Sequence, residues 1–205
     1  FRTDKKGFLP TMMEELYNER VTYKKKMLSA QQEFENTKDN KYKKLISRYN
    51  NIQMARKISL NSAYGAIGNQ YFRYYDKAIA EGITKSGQLS IRWIENRLNK
   101  YLNNILKTDD DYVIASDTDS VYLTLDKLVT ETIKSDNALS KTINFLDKVA
   151  SESIEPYITK SYDELKQYTN AFANKMFMKR EVIADKGIWV AKKRYCLLYT
   201  SPSPR

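Results

Sequence analysis

Apolar residues at spacings of three and four open the chain, the signature of amphipathic helices. Over residues 10–35, Met13, Leu16, Tyr17, Met27 and Leu28 form one apolar side. Pro10 stands at the start, and Thr11-x-x-Glu14 has the spacing of a capping box. A polar break at 36–41 precedes a second predicted helix, from about Tyr42 to Tyr64, with Leu45, Tyr49 and Ile52 on one face. It should end at Gly65 or Gly68 in a left-handed cap. The short polar connection makes the pair a helical hairpin. An aromatic connector, Asn69 to Lys77, carries Tyr71, Phe72, Tyr74 and Tyr75. A third helix over about 79–106 should turn Ile83, Trp93, Ile94, Leu98, Tyr101, Leu102 and Ile105 inward.

The period then drops to two. Tyr112–Ser116 and Val121–Leu125 read as strands around Asp117-Thr118-Asp119-Ser120, a hairpin with a carboxylate tip. Helical segments follow at about 137–153 and 156–170, with Pro156 suited to a first turn. Strand pattern returns at 176–184 and 187–195, joined through Asp185-Lys186-Gly187. The predicted class is α+β: a projecting helical hairpin plus a palm-like antiparallel β-sheet with helices packed on one face.

Composition narrows the chemistry. Histidine is absent, which excludes Ser-His and Cys-His catalysis and His-ligated metals. A single cysteine, Cys196, excludes an internal disulfide and any Cys-rich cluster. A metal here needs oxygen ligands, which points to magnesium, manganese or calcium. No apolar run reaches the roughly 18 residues of a membrane helix. The net charge of +10 and 16 tyrosines suit a polyanion with bases to stack on. An AT-rich genome, which enriches Lys, Asn, Ile and Tyr, explains the same composition.

Three clusters carry candidate chemistry. In an extended chain Asp117 and Asp119 share a face. Paired carboxylates repel unless a cation lies between them, and magnesium accepts a few carboxylates while keeping positions for phosphate oxygens and water. An Asx-type turn uses the same residue types. On the second helix Lys57, Asn61 and Tyr64 share one face, as Arg20 and Lys24 do on the first. Such a surface suits a triphosphate and a stacked base pair, or is a solvated basic face. Lys192-Lys193-Arg194-Tyr195 suits a nucleic acid backbone, or is a basic strand end. Glu181 could join the acidic site or pair with a lysine.

Taken in order, Lys57-x-x-x-Asn61-Ser62-x-Tyr64-Gly65, Asp117-Thr118-Asp119-Ser120 and Lys192-Lys193-Arg194-Tyr195 resemble the motif series of family B (alpha-like) DNA polymerases. Gly7-Phe8-Leu9-Pro10, Phe72-Arg73-Tyr74-Tyr75-Asp76, Trp93-Ile94-Glu95, Phe145-Leu146-Asp147 and Met178-x-Arg180-Glu181 resemble the replicative branch of T-even-like phages. The resemblance spans about 7–195. It implies fingers over 1–68 and part of a palm over 69–195.

It also implies DNA-directed DNA synthesis from deoxynucleoside triphosphates on a primer–template, with two magnesium ions for which manganese can substitute. Asp119 would be the metal-binding carboxylate, with Asp117 beside it and Glu181 a third acidic position. Arg20, Lys24 and Lys57 would contact the triphosphate, and Lys57 would be the acid for departing pyrophosphate. Asn61 would place the nucleotide, and Tyr64 would pack near the nascent pair. Gly65, Lys192, Lys193, Arg194 and Tyr195 would meet DNA, with Lys193 at the primer end.

The family's first palm motif, of the Asp-x-x-Ser-Leu-Tyr-Pro-Ser type, does not occur and would precede residue 1. A fragment without it should not polymerise alone. The thumb and the tail that binds a sliding clamp would follow residue 195. The expected setting is the cytoplasm of an infected bacterial host. The finger connection near 32–50 and the Asp185-Lys186-Gly187 turn are shorter than the resemblance to T-even-like enzymes leads one to expect. The rival readings are a non-catalytic DNA-binding module with a decayed palm, and a reverse transcriptase, against which the fingers motif argues. Cys196 to Arg205 departs in style, with no Lys or Asn and two of the four prolines. It matches a translated transposon-type sequencing adapter and is expected to be a library artefact.

Overall fold

The computed structural model describes residues 4–132, 139–191 and 193–201, the side chains of 199–201 excepted. The chain forms two compact units that divide between Thr84 and Lys85, inside the third helix. The sequence boundary at 68/69 falls instead just after the second helix.

The first unit is a helical hairpin. Helices α1 (Phe8–Thr37) and α2 (Asn40–Ile67) are joined by only Lys38 and Asp39. Lys38 takes a left-handed conformation, φ 55°, and its N–H reaches the Phe34 carbonyl at 2.7 Å. Asp39 caps α2 by accepting from the Lys41 N–H at 2.9 Å. The helices run antiparallel: Glu19 pairs with Arg56 at 2.5 Å, and the rings of Tyr23 and Tyr49 lie 6.1 Å apart. The expected capping box does not form. α1 starts at Phe8 after Gly7, which places Thr11 inside the helix, where its hydroxyl donates to the Gly7 carbonyl. Glu14 turns to Lys6 instead. Gly68 does end α2, but as an ordinary right-handed cap at φ −80°. The left-handed cap falls on Lys38. Only Ala30, Gln53 and Ile67 are buried in these two helices.

The second unit is built on α3 (Lys77–Leu106), which lies in it from Lys85 onward. Ser90, Ile94, Leu98 and Leu102 form the buried stripe at i, i+4 spacing. Ile83 and Ile105, expected inward, are about half exposed, because the covering residues flank only the stretch between them. Strands β1 (Val113–Asp117) and β2 (Ser120–Leu123) form an antiparallel hairpin. A short helix α4 (Asp126–Thr132) follows; seven residues are too few to show periodicity. Helix α5 (Leu139–Val149) runs through a π-helical turn (Ala150–Ile154) into α6 (Glu155–Tyr168), so the two predicted helices are nearly continuous. Residues 137 and 138 of the first lie outside the described residues.

Ile94, Leu98, Val113, Ile154, Ile158, Tyr162 and Leu165 form the core of this unit. Burying a side chain of this size stabilises a fold by roughly 1.5–3 kcal/mol. Polar bonds fix the angles between elements. Asn99 Oδ1 accepts from the N–H groups of Tyr112 and Val113, both at 3.0 Å, which ties the start of β1 to α3. The Trp93 indole N–H donates to the Ser161 carbonyl at 3.0 Å.

The last hairpin differs from expectation. β3 spans Ile183–Ala191 and β4 spans Arg194–Ser201, in a separate two-stranded sheet. Residues 176–182 are not strand, and Asp185-Lys186-Gly187 is not a turn but lies within β3. Gly187 has no positive φ, so the turn-forming freedom of glycine is unused. The chain reverses between Ala191 and Arg194, with Lys193 at φ 61°. Lys192 itself lies outside the described residues. Cys196–Ser201 pair with β3, and 202–205 lie outside the described residues.

Candidate active site

Each unit carries its own set of candidate residues. In the hairpin unit, the Glu19–Arg56 ion pair sets the register, so Arg20 and Lys57 sit at the same level of the two helices. Lys24 lies one turn nearer the tip, while Asn61 and Tyr64 lie towards the base. Lys57, Asn61 and Tyr64 are exposed, whereas Arg20 and Lys24 are half-buried. Arg20 Nε is buried with no acceptor among the described residues. An anion's oxygen would satisfy that donor. The Tyr64 hydroxyl is held by Thr84 Oγ1 at 2.7 Å, which fixes the ring while its face stays open to solvent. A Cβ on Gly65 would meet nothing within 4 Å, so internal packing gives no reason for a glycine there.

In the other unit, Asp117 ends β1 half-buried, and Asp119 is exposed in the two-residue turn. The alternation expected of an extended chain does not apply, because Thr118 breaks it at φ 55°. A β-branched residue there is strained. The Asp119 N–H closes onto the Asp117 carbonyl at 2.6 Å, and Ser120 Oγ donates to the same carbonyl at 3.1 Å. The Asp117 carboxylate accepts from Thr118 Oγ1 at 3.0 Å. The Asp119 carboxylate makes no hydrogen bond or ion pair among the described residues. Two carboxylates, one of them uncommitted, match the oxygen ligands that a hard divalent ion prefers. Among the described residues no group of three or more acidic or cysteine side chains is placed to hold a metal, so Glu181 does not complete a cluster with them.

A cavity of about 110 Å³ joins the two hairpins of this unit; Asp117 and Ser116 line one side, and Lys193 and Tyr195 the other. Thus Asp117 and Lys193, more than seventy residues apart in sequence, line one cavity. A larger cavity of about 160 Å³, near Ser90, Tyr162 and Met176, holds none of the sequence-predicted residues. Burial pushes the Tyr162 hydroxyl there up to about 12. The turn residues Thr118 and Lys193 both hold left-handed backbone, and strained turns of this kind cluster at functional sites. Arg194 is exposed at the start of β4.

The model of DNA polymerase family B matches residues 2–200. The chain belongs to family B of the DNA polymerases. It is 34% identical to the DNA-directed DNA polymerase of Escherichia phage RB69, over 95% of this chain and 27% of that protein. It is 42% identical to the DNA-directed DNA polymerase of Enterobacteria phage T4, over 72% of this chain and 18% of that protein. A DNA polymerase of Pyrococcus glycovorans is 27% identical over 97% of this chain and 20% of that protein. The chain therefore spans about a quarter or less of these relatives. The alignment with the RB69 enzyme runs over 245 residues, more than this family B chain contains, so that relative carries insertions within the shared span.

Sequence reasoning did not single out Tyr122 or Trp189, which line the same cavity. The available signal was Gly187-x-Trp189: a strand glycine two residues from a large ring on the same face.

Proposed function

We propose that this chain is the fingers and part of the palm of a phage DNA-directed DNA polymerase. The reading rests chiefly on Asp117 and Lys193 lining one cavity, which puts the acidic and basic motifs of the family series side by side. The substrates are a primer–template and deoxynucleoside triphosphates. Asp119, with Asp117 beside it, would hold magnesium, or manganese in its place. When bound, such ions supply charge neutralisation at the triphosphate and activation of the primer hydroxyl.

The chain's own residues do the rest. Arg20, Lys24 and Lys57 bind the triphosphate as a line of cations along the hairpin. Lys57 Nζ carries the proton that the leaving pyrophosphate takes. Asn61 orients the nucleotide, and the fixed ring of Tyr64 bounds the nascent pair. Gly65 lets a strand approach the backbone. Lys193, with Lys192, Arg194 and Tyr195, holds the primer end. Glu181 is a further acidic residue of the palm. The exposed rings of Tyr71, Phe72, Tyr74 and Tyr75 offer stacking surfaces for unpaired bases. The enzyme acts in the infected bacterial cytoplasm and meets a sliding clamp through a segment beyond this chain.

The test is primer extension by the polymerase that carries this segment. The wild-type enzyme should extend a primer with magnesium, and Asp119→Ala should abolish extension while sparing DNA binding. The 205-residue chain alone should not extend it. Normal extension by Asp119→Ala would refute the assignment.

A further inference from the structure

The carboxylate hairpin and the basic hairpin share no strand ladder: β1–β2 and β3–β4 are separate two-stranded sheets. Side chains must therefore set one hairpin against the other. Three rings lie at that junction. Tyr122 of β2 meets Trp189 of β3 edge-on at 5.3 Å and Tyr195 of β4 edge-on at 5.4 Å. Trp189 and Tyr195 lie opposite each other in the β3–β4 register, with their rings stacked at 6.2 Å. Edge-to-face and offset-stacked pairs of this kind are directional as well as apolar.

Gly187 shows that the ring has a built seat. A Cβ at Gly187 would stand 2.7 Å from both Cη2 and Cζ3 of Trp189 and 2.8 Å from Leu197 Cδ2. The indole thus lies back across the strand, over a position that only glycine leaves open. Gly187 needs no unusual φ, and a glycine inside a strand weakens it. Close approach of the indole, and of Leu197 beside it, accounts for a glycine there. Trp189 is still 37% exposed, so it is not simply a core residue. It sits between the wall that bears Asp117 and the turn that bears Lys193.

We propose that Trp189, seated on Gly187 and braced by Tyr122 and Tyr195, is a positioning residue that sets the carboxylate hairpin against the basic turn. The proposal rests on the polymerase reading, in which Asp119 serves the metal and Lys193 the primer end. Its role is to hold the primer hydroxyl at attacking distance. The triphosphate-binding residues belong to the other unit, so nucleotide affinity should not depend on it.

Single-turnover incorporation by the full polymerase, as wild type, Trp189→Ala, Trp189→Phe and Gly187→Ala, tests this. A misplacement near 1 Å costs about 10²-fold, so Trp189→Ala should lower the maximal rate by roughly 30- to 100-fold at unchanged nucleotide affinity. Trp189→Phe, which keeps a ring over Gly187, should restore most of the rate. Gly187→Ala keeps the indole but evicts it, so the rate should fall and tryptophan emission should shift to the red. Trp189→Ala at the wild-type rate overturns the proposal, as does Gly187→Ala with rate and emission both unchanged. Weakened nucleotide binding at an unchanged rate overturns it too. If Trp189→Ala does not fold, the Gly187→Ala rate decides. A wild-type enzyme that extends no primer sinks the polymerase reading instead, and the emission shift of Gly187→Ala then decides the packing separately.

Discussion

The two units present their chemistry in opposite ways. The hairpin unit displays Lys57, Asn61 and Tyr64 on the open face of a regular helix, above an interface that buries almost nothing. The second unit buries a cluster from α3, β1 and α6, and places its candidate residues at two strained turns beyond that core. A helix face needs no core to keep side chains in line, because backbone hydrogen bonds do it. Two turns from separate sheets need every contact beneath them to agree.

Core substitutions should separate the units most. Leu98→Ala should destabilise the second unit by about 2–5 kcal/mol, whereas Leu45→Ala in the half-buried face of α2 should cost far less. Hydrogen exchange resolved by segment reads both, and equal losses would erase the contrast. Next, Lys57→Ala in the polymerase should slow nucleotide incorporation by about 10- to 100-fold, with the worth of a charge-assisted contact. Because the residue lies on a solvated helix, thermal unfolding should not change. Thr118→Gly should relieve the left-handed strain and raise the stability of the second unit by up to about 1 kcal/mol. Its loosened turn should lower the incorporation rate, which a parallel kinetic assay reads.

The smallest effect is at Asp39. The Lys41 N–H and ammonium hold its carboxyl below the ordinary 3.8. A folded value below the unfolded one gives stability that is present above about 3.8 and lost as pH falls through the lower value. Helicity of the hairpin should therefore decline in acid, and Asp39→Asn should flatten that decline as followed by circular dichroism.

What was legible follows the same division. Spacing alone gave α1, α2, the stripe of α3 and the Lys57–Asn61–Tyr64 face, because helical periodicity is local. The β1–β2 hairpin was legible from its alternation and turn residues. The β3–β4 hairpin was misplaced, because Asp185-Lys186-Gly187 has turn composition while in the strand Gly187 lies under the side chains of Trp189 and Leu197. That contact, and the meeting of Asp117 with Lys193, are tertiary and leave no period in the sequence. The pairing of Cys196–Ser201 does not bear on an adapter origin, since Leu-Leu-Tyr-Thr has strand propensity whatever its source. The codons decide: TGT CTC TTA TAC ACA TCT CCG AGC CCA CGA for Cys196–Arg205 would mark an artefact, and other codons would remove that reading.

Under the proposed function, Asp119 is the metal-binding carboxylate of a polymerase whose triphosphate cations lie on α1 and α2. Asp119→Asn tests it most directly, because it removes charge and keeps shape. Single-turnover incorporation by this variant should fall by about a thousandfold or more with magnesium, the worth of several kcal/mol, while primer–template affinity stays at the wild-type level. Incorporation at the wild-type rate would contradict the account.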